Sequence, residues 1–149
     1  MDYFVYLKAP EHLAQFIKHT FGDPVELIRE SPESRILREH TIKTPADAID
    51  DSADCNVKIR IPHFKEKDPR IYNYISNATK LALIESFDEI LKRSMWQEIG
   101  CLGVTNCKLS TLLYSYMERH GIEEKYWYTI SQRWYRYRRA YHKQVGVSI

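Results

Sequence analysis

Residues 57–87 read VKIRIPHFKEKDPRIYNYISNATKLALIESF, and the period of the apolar positions changes within them. Val57, Ile59 and Ile61 alternate with Lys58 and Arg60, the two-residue period of a half-exposed antiparallel strand that Pro62 ends. From Asp68 onward, Ile71, Ile75, Ala78, Ala82, Phe87, Leu91 and Met95 recur at roughly helical intervals as far as Gly100. Asp68 before Pro69 has the form of an N-cap followed by a first-turn proline, so the spacing predicts a long helix, with a break near Ser86 as its weak point. Such a change of period predicts an α+β fold. A small, mostly antiparallel sheet with one helix occupies residues 1–64, and a three-helix half ending in a helix-turn-helix-like pair occupies residues 65–149, the two forming one compact unit.

Upstream, Tyr3, Val5 and Leu7 alternate with Phe4 and Tyr6, a strand apolar on both faces and therefore buried in a sheet. Pro10, then Leu13, Phe16 and Ile17, predict a helix that Gly22 and Pro24 stop. Residues 25–29 and 35–42 read as short strands of a hairpin about the turn formers Ser31-Pro32-Glu33-Ser34. Downstream, residues 100–106 read as a loop. Leu109, Leu112, Leu113, Tyr116 and Met117 mark a second helix ending at Gly121, and a third helix runs from Glu123 and Glu124 to about Lys143.

Composition removes several classes of function. The chain has 149 residues, of which 44% are hydrophobic and 28% charged, near the globular average, so neither disorder nor a fibrous repeat is expected. Asp2 stands where a signal peptide would carry Lys or Arg, and apolar runs such as residues 81–84 fall far below the roughly 18 residues that span a bilayer. Three cysteines, Cys55, Cys101 and Cys107, cannot all pair within one chain, which favours reduced thiols and a cytoplasmic address with no membrane partner. No phosphate-binding glycine loop, dinucleotide fingerprint or nucleophile elbow occurs. Cys101 and Cys107 with His120 lack the close pairing of strong zinc sites; His12 and His19 share a helix face but find no further ligands in the sequence. Asp47, Asp50, Asp51 and Asp54 form an acidic loop without the glycine a calcium loop requires, and read as a solvated connection. No enzyme, metal or cofactor is expected from these patterns.

Charge is unevenly distributed. Residues 1–64 hold eight Lys/Arg against eleven Asp/Glu, whereas residues 65–149 hold fourteen against nine, and no acidic residue follows Glu124. On the third helix Trp127, Ile130, Trp134, Tyr137 and Tyr141 form one apolar stripe. Lys125, Thr129, Gln132, Arg136, Arg139 and Lys143 fall on another side, with Arg133 beside them, and Tyr128, Ser131, Tyr135, Arg138 and His142 lie between the two. A helix anchored by aromatics and presenting cations, Gln and Thr has the chemistry of a nucleic-acid contact: Arg136, Arg139, Lys143 and Lys125 for phosphates, and Gln132, Thr129 and Arg133 nearest to base edges. The expected partner is DNA. Single strands stacking on exposed aromatics are the alternative substrate, and a homodimer would accompany a helix-turn-helix that reads palindromic sites. Two departures from that motif, Met117 four residues before the turn glycine and Trp127 six after it, imply a wide helix crossing and make a longer αα-hairpin the competitor. Two plainer readings stand beside it. The polar face could simply be solvated, or the aromatic stripe could pack on a partner chain in a protein-interaction module.

The runs MDYFVYLK (1–8), IYNYIS (71–76), MERHGI (117–122) and QRWYRYR (132–138) resemble a family of small proteins from Bacteroidales bacteria and their mobile elements, a family with no known activity. The resemblance spans nearly the whole chain. It lends no functional residues and no cofactor, and implies a bacterial, cytoplasmic setting in which DNA transactions are common.

Overall fold

The computed structural model describes residues 2–100 and 108–144, with the side chains of Tyr141, His142 and Gln144 left aside. The fold is α+β, and the chain divides into two compact units, Met1–Asp88 and Glu89–Ile149.

In the first unit, β1 (Phe4–Leu7) pairs antiparallel with β3 (Val57–Arg60), placing Val5 opposite Ile59 and Leu7 opposite Val57. These four side chains are buried and define the core face. The opposite face is half-buried, with the Lys58 ammonium 4.0 Å from the centre of the Phe4 ring, so β1 is fully buried on one side only. Val25 extends the ladder by a single parallel bridge to Ile59, its N–H donating to the Lys58 carbonyl at 2.7 Å. Asn56 pins the strand to the start of α1 (Glu11–Phe21), accepting from the Ala9 N–H at 2.8 Å and donating to the Ala9 carbonyl at 2.6 Å. Leu13, Phe16 and Ile17 are buried on α1, as their spacing predicts, and the helix ends at Gly22.

Two sequence expectations are overturned here. The hairpin over residues 25–42 is instead α2 (Pro32–His40), because Ser31 is an N-cap whose hydroxyl accepts the Ser34 N–H at 3.2 Å and Pro32 fills the first helical position. Thr41 then leads into β2 (Ile42–Lys43), a short strand paired antiparallel with β4 (Tyr72–Tyr74). The helix expected from Asp68 begins later. The Asp68 carboxylate accepts the Arg70 N–H at 2.9 Å, and the Asp68 carbonyl accepts from Ile71 and Tyr72, which makes a turn rather than a helical start. Aromatic Tyr72 and Tyr74 favour the strand that follows, and the Asn73 amide locks it by donating to the Pro69 carbonyl and accepting from the Thr44 hydroxyl. Helix α3 (Asn77–Met95) starts only after Ser76, whose hydroxyl accepts the Thr79 N–H, and it runs without a break at Ser86. Thr79, Leu83, Phe87, Leu91 and Met95 form one buried ridge along α3 at intervals of four. The N-terminal half is therefore less rich in strand than its sequence suggests.

In the second unit, α3 passes into a π turn (Trp96–Gly100). Of the loop expected over residues 100–106, Gly100 belongs to this π turn and the rest, with Cys101, lies outside the described residues, as does Cys107. Helix α4 (Leu109–Arg119) ends at a glycine-based cap. Gly121 has φ of 70°, its N–H donates to Glu118, and the next N–H, of Ile122, donates to the Met117 carbonyl at 2.9 Å. Met117 and Ile122, the positions whose apolar side chains commonly accompany this kind of cap, are both buried. An L side chain at a positive φ costs about 1–2 kcal/mol, so Gly121→Ala is expected to lower the denaturant midpoint by about that stability with an unchanged m value. A change in m instead would mean that the turn shapes the unfolded chain. A 3-10 turn (Glu124–Tyr126) leads into α5 (Trp127–Gln144).

Candidate nucleic-acid interface

Helix α5 is held by the predicted stripe. Ile130, Trp134 and Tyr137 are buried, Trp134 stacks on Trp96 at 5.4 Å, and the half-buried Trp127 stacks on Tyr114 of α4 at 5.4 Å. Tyr141 falls among the side chains left aside. With one side fixed, 3.6 residues per turn determines what the other presents.

Gln132, Arg136, Arg139 and Lys143 are exposed, as their positions predict. Thr129 is only half-exposed. Lys125 is exposed but ion-paired, its ammonium 3.4 Å from the Glu123 carboxylate, which raises its pKa, and it lies 5.3 Å from the Tyr126 ring centre. Arg133 is half-buried and donates to the Tyr137 hydroxyl at 2.9 Å, so it braces the packed side of the helix. An Arg four residues before a Tyr on a helix could have suggested that pairing. Arg138 is exposed and adds to the cationic side. Exposed positive charge therefore collects toward the C-terminal half of α5, at Arg136, Arg138, Arg139 and Lys143, while the exposed Glu123 and Glu124 lie just ahead of the helix N-terminus.

Among the described side chains, two aromatics share this surface. Tyr128 is 70% and Tyr135 44% exposed, and each lies within about 60° of Gln132 around the helix.

Away from α5, Glu98 on the π turn gathers donors from well-separated parts of the sequence. His120 Nε2 lies 2.5 Å from one carboxylate oxygen, the Ser94 hydroxyl donates to the same oxygen at 3.3 Å, and Arg119 lies 3.6 Å from the other. The buried Tyr116 donates its hydroxyl to Ser94 at 3.0 Å and packs its ring 4.3 Å from that of His120. Desolvation is the main cause that raises the Tyr116 pKa. Ser94 and His120 both turn to the Glu98 carboxylate, so the cluster has the form of a structural clamp closing α4 onto the π turn. His120, considered from sequence as a metal ligand, is engaged in this clamp. His12 is buried and His19 exposed, and among the described residues no group of His, Cys, Asp or Glu is arranged to hold a metal ion. In the acidic loop, Asp50 accepts from Ser52, which lowers its pKa, and Asp51 pairs with Lys80. Among the described residues no helix is long and apolar enough to cross a membrane.

No protein-family model, curated protein or solved structure matches the chain.

Proposed function

We propose that this protein binds nucleic acid, most naturally DNA, through the cationic face of α5. The observation that carries the reading is the coincidence, on one helix without a carboxylate of its own, of four exposed cations with a Gln and two tyrosines able to meet bases. The reading makes Arg136, Arg138, Arg139 and Lys143 phosphate contacts and Gln132 the residue nearest to base edges. Lys125, Thr129 and Arg133 become secondary, because an ion pair, partial burial and the bond to Tyr137 engage them. The rival reading, an aromatic seam for a partner chain, loses weight because Ile130, Trp134 and Tyr137 are already buried within this chain.

Fluorescence anisotropy with labelled DNA at several salt concentrations tests the proposal. Affinity is expected to fall linearly in log–log form with salt. Arg136→Ala/Arg139→Ala should weaken binding by at least about tenfold and reduce the salt slope by about two. No binding at low salt, or binding indifferent to the double substitution, would rule the helix out as the contact surface.

A further inference from the structure

Whether a basic helix engages duplex or unpaired nucleic acid depends on which end carries the charge and what lies between the cations. A recognition helix in the major groove leads with its N-terminal residues, which approach base edges between two walls of phosphate. In α5 that end is the unfavourable one. Glu123 and Glu124 are exposed there, and the nearest cation, Lys125, is paired with Glu123. Phosphate walls would meet carboxylates first.

The middle of the helix carries different chemistry. Tyr128, Gln132, Tyr135 and Arg139 follow one another at intervals of four, three and four residues, one continuous stripe of alternating ring and polar group. Tyr128 and Tyr135 are separated by about 10.5 Å along the axis, a span that an extended strand crosses in about two nucleotides. Arg136 and Lys143 flank the stripe on one side and Arg138 on the other, within reach of a backbone whose bases face the rings. Tyr114, the other exposed tyrosine among the described residues of this unit, is occupied by stacking on Trp127. Large, exposed, apolar rings set among cations are poorly suited to water and well suited to the faces of unstacked bases.

We infer that the surface of α5 is a stacking platform for single-stranded nucleic acid, with Tyr128 and Tyr135 each receiving a base and Arg136, Arg139 and Lys143 neutralising the phosphates beside them. The inference rests on the proposed nucleic-acid binding and specifies its substrate class. In a paired duplex the base faces are stacked on each other and unavailable to the rings, so preference for unpaired strands follows from the same contacts.

The test uses the full chain and three labelled probes: oligothymidylate of about twenty nucleotides, the matching oligouridylate, and a mixed-sequence duplex of similar length. The native protein is expected to bind the single strands at least about tenfold more tightly than the duplex. Tyr128→Ala/Tyr135→Ala should remove that preference while leaving the salt slope unchanged, because stacking releases no counterions. Tyr128→Phe/Tyr135→Phe should retain it, since the ring face survives. Both positions are exposed, and circular dichroism confirms that the variants fold. Salt-dependent binding that favours the duplex, or that the double alanine variant leaves unchanged, would overturn the platform while sparing the cationic contact. Absence of salt-dependent binding to every probe would overturn both. The ratio between the two single strands reports whether the ribose hydroxyl is read.

Discussion

Replacing Tyr116 by alanine is expected to destabilise the second unit by about 3–5 kcal/mol, the range for deleting a large buried aromatic. The side chain is fully buried, its ring packs on His120, and its hydroxyl supports the Ser94 and Glu98 end of the clamp. Small domains are stable by about 5–15 kcal/mol, so the loss removes a large part of what holds this unit folded. All three tryptophans, Trp96, Trp127 and Trp134, lie in the second unit, so tryptophan emission during denaturation reports it selectively. Tyr116→Phe keeps the ring and removes only the hydroxyl, and should cost about 1 kcal/mol. The two variants also separate in alkali. Burial raises the Tyr116 pKa, so the folded state holds its proton more tightly than the unfolded chain does. The stabilisation is fully present below the unfolded tyrosine pKa of about 10 and is lost progressively as pH rises above it toward the folded value. The native unit should therefore weaken above about pH 10 more steeply than Tyr116→Phe. Parallel curves would show that the hydroxyl is not buried as described.

Phe87→Ala is expected to have an effect of similar size, about 3–5 kcal/mol, on the first unit. Phe87 is fully buried on the α3 ridge, and its ring meets the edge of Phe21 at a centroid distance of 5.6 Å and an interplanar angle of 64°. That contact ties the end of α1 to α3 within one core. A double-mutant cycle with Phe21→Ala should return a coupling of about 0.5–1.5 kcal/mol, the increment of an edge-to-face pair beyond area burial. Because the first unit has no tryptophan, far-UV circular dichroism is the appropriate readout. A coupling near zero would mean that the two rings contribute only as independent apolar volume.

The parts of this fold that could be read from sequence are those with long, unambiguous periods. The stripe on α5 emerged as spaced from Trp127 to Tyr137, because 3.6 residues per turn over a long helix leaves little room for another pattern. The α2 region failed for the opposite reason. Ser31-Pro32-Glu33-Ser34 serves equally as a turn and as an N-cap with a first-turn proline, and nine residues of helix carry too few apolar positions to decide. At Asp68 the same ambiguity ran the other way, and Tyr72 and Tyr74 were the overlooked strand formers. The Glu98 clamp had no local signal at all, since Glu98 and His120 are twenty-two positions apart and meet only once α4 has folded back. On the candidate surface, exposure of Gln132, Arg136, Arg139 and Lys143 followed from helical phase, whereas the bracing role of Arg133 depended on the side-chain conformation it adopts toward Tyr137.

Among the described side chains, the last buried anchor of α5 is Tyr137, and Arg138, Arg139, Ala140 and Lys143 beyond it are exposed. Substitutions at such positions change stability by only about half a kcal/mol in either direction, while each cation altered changes the field a polyanion meets. The charge of this last stretch is thus free to drift between lineages, or to be redesigned, without endangering the fold that carries it. Affinity can be tuned there almost independently of foldability, and the same positions offer attachment points for a reporter dye close to whatever the helix holds.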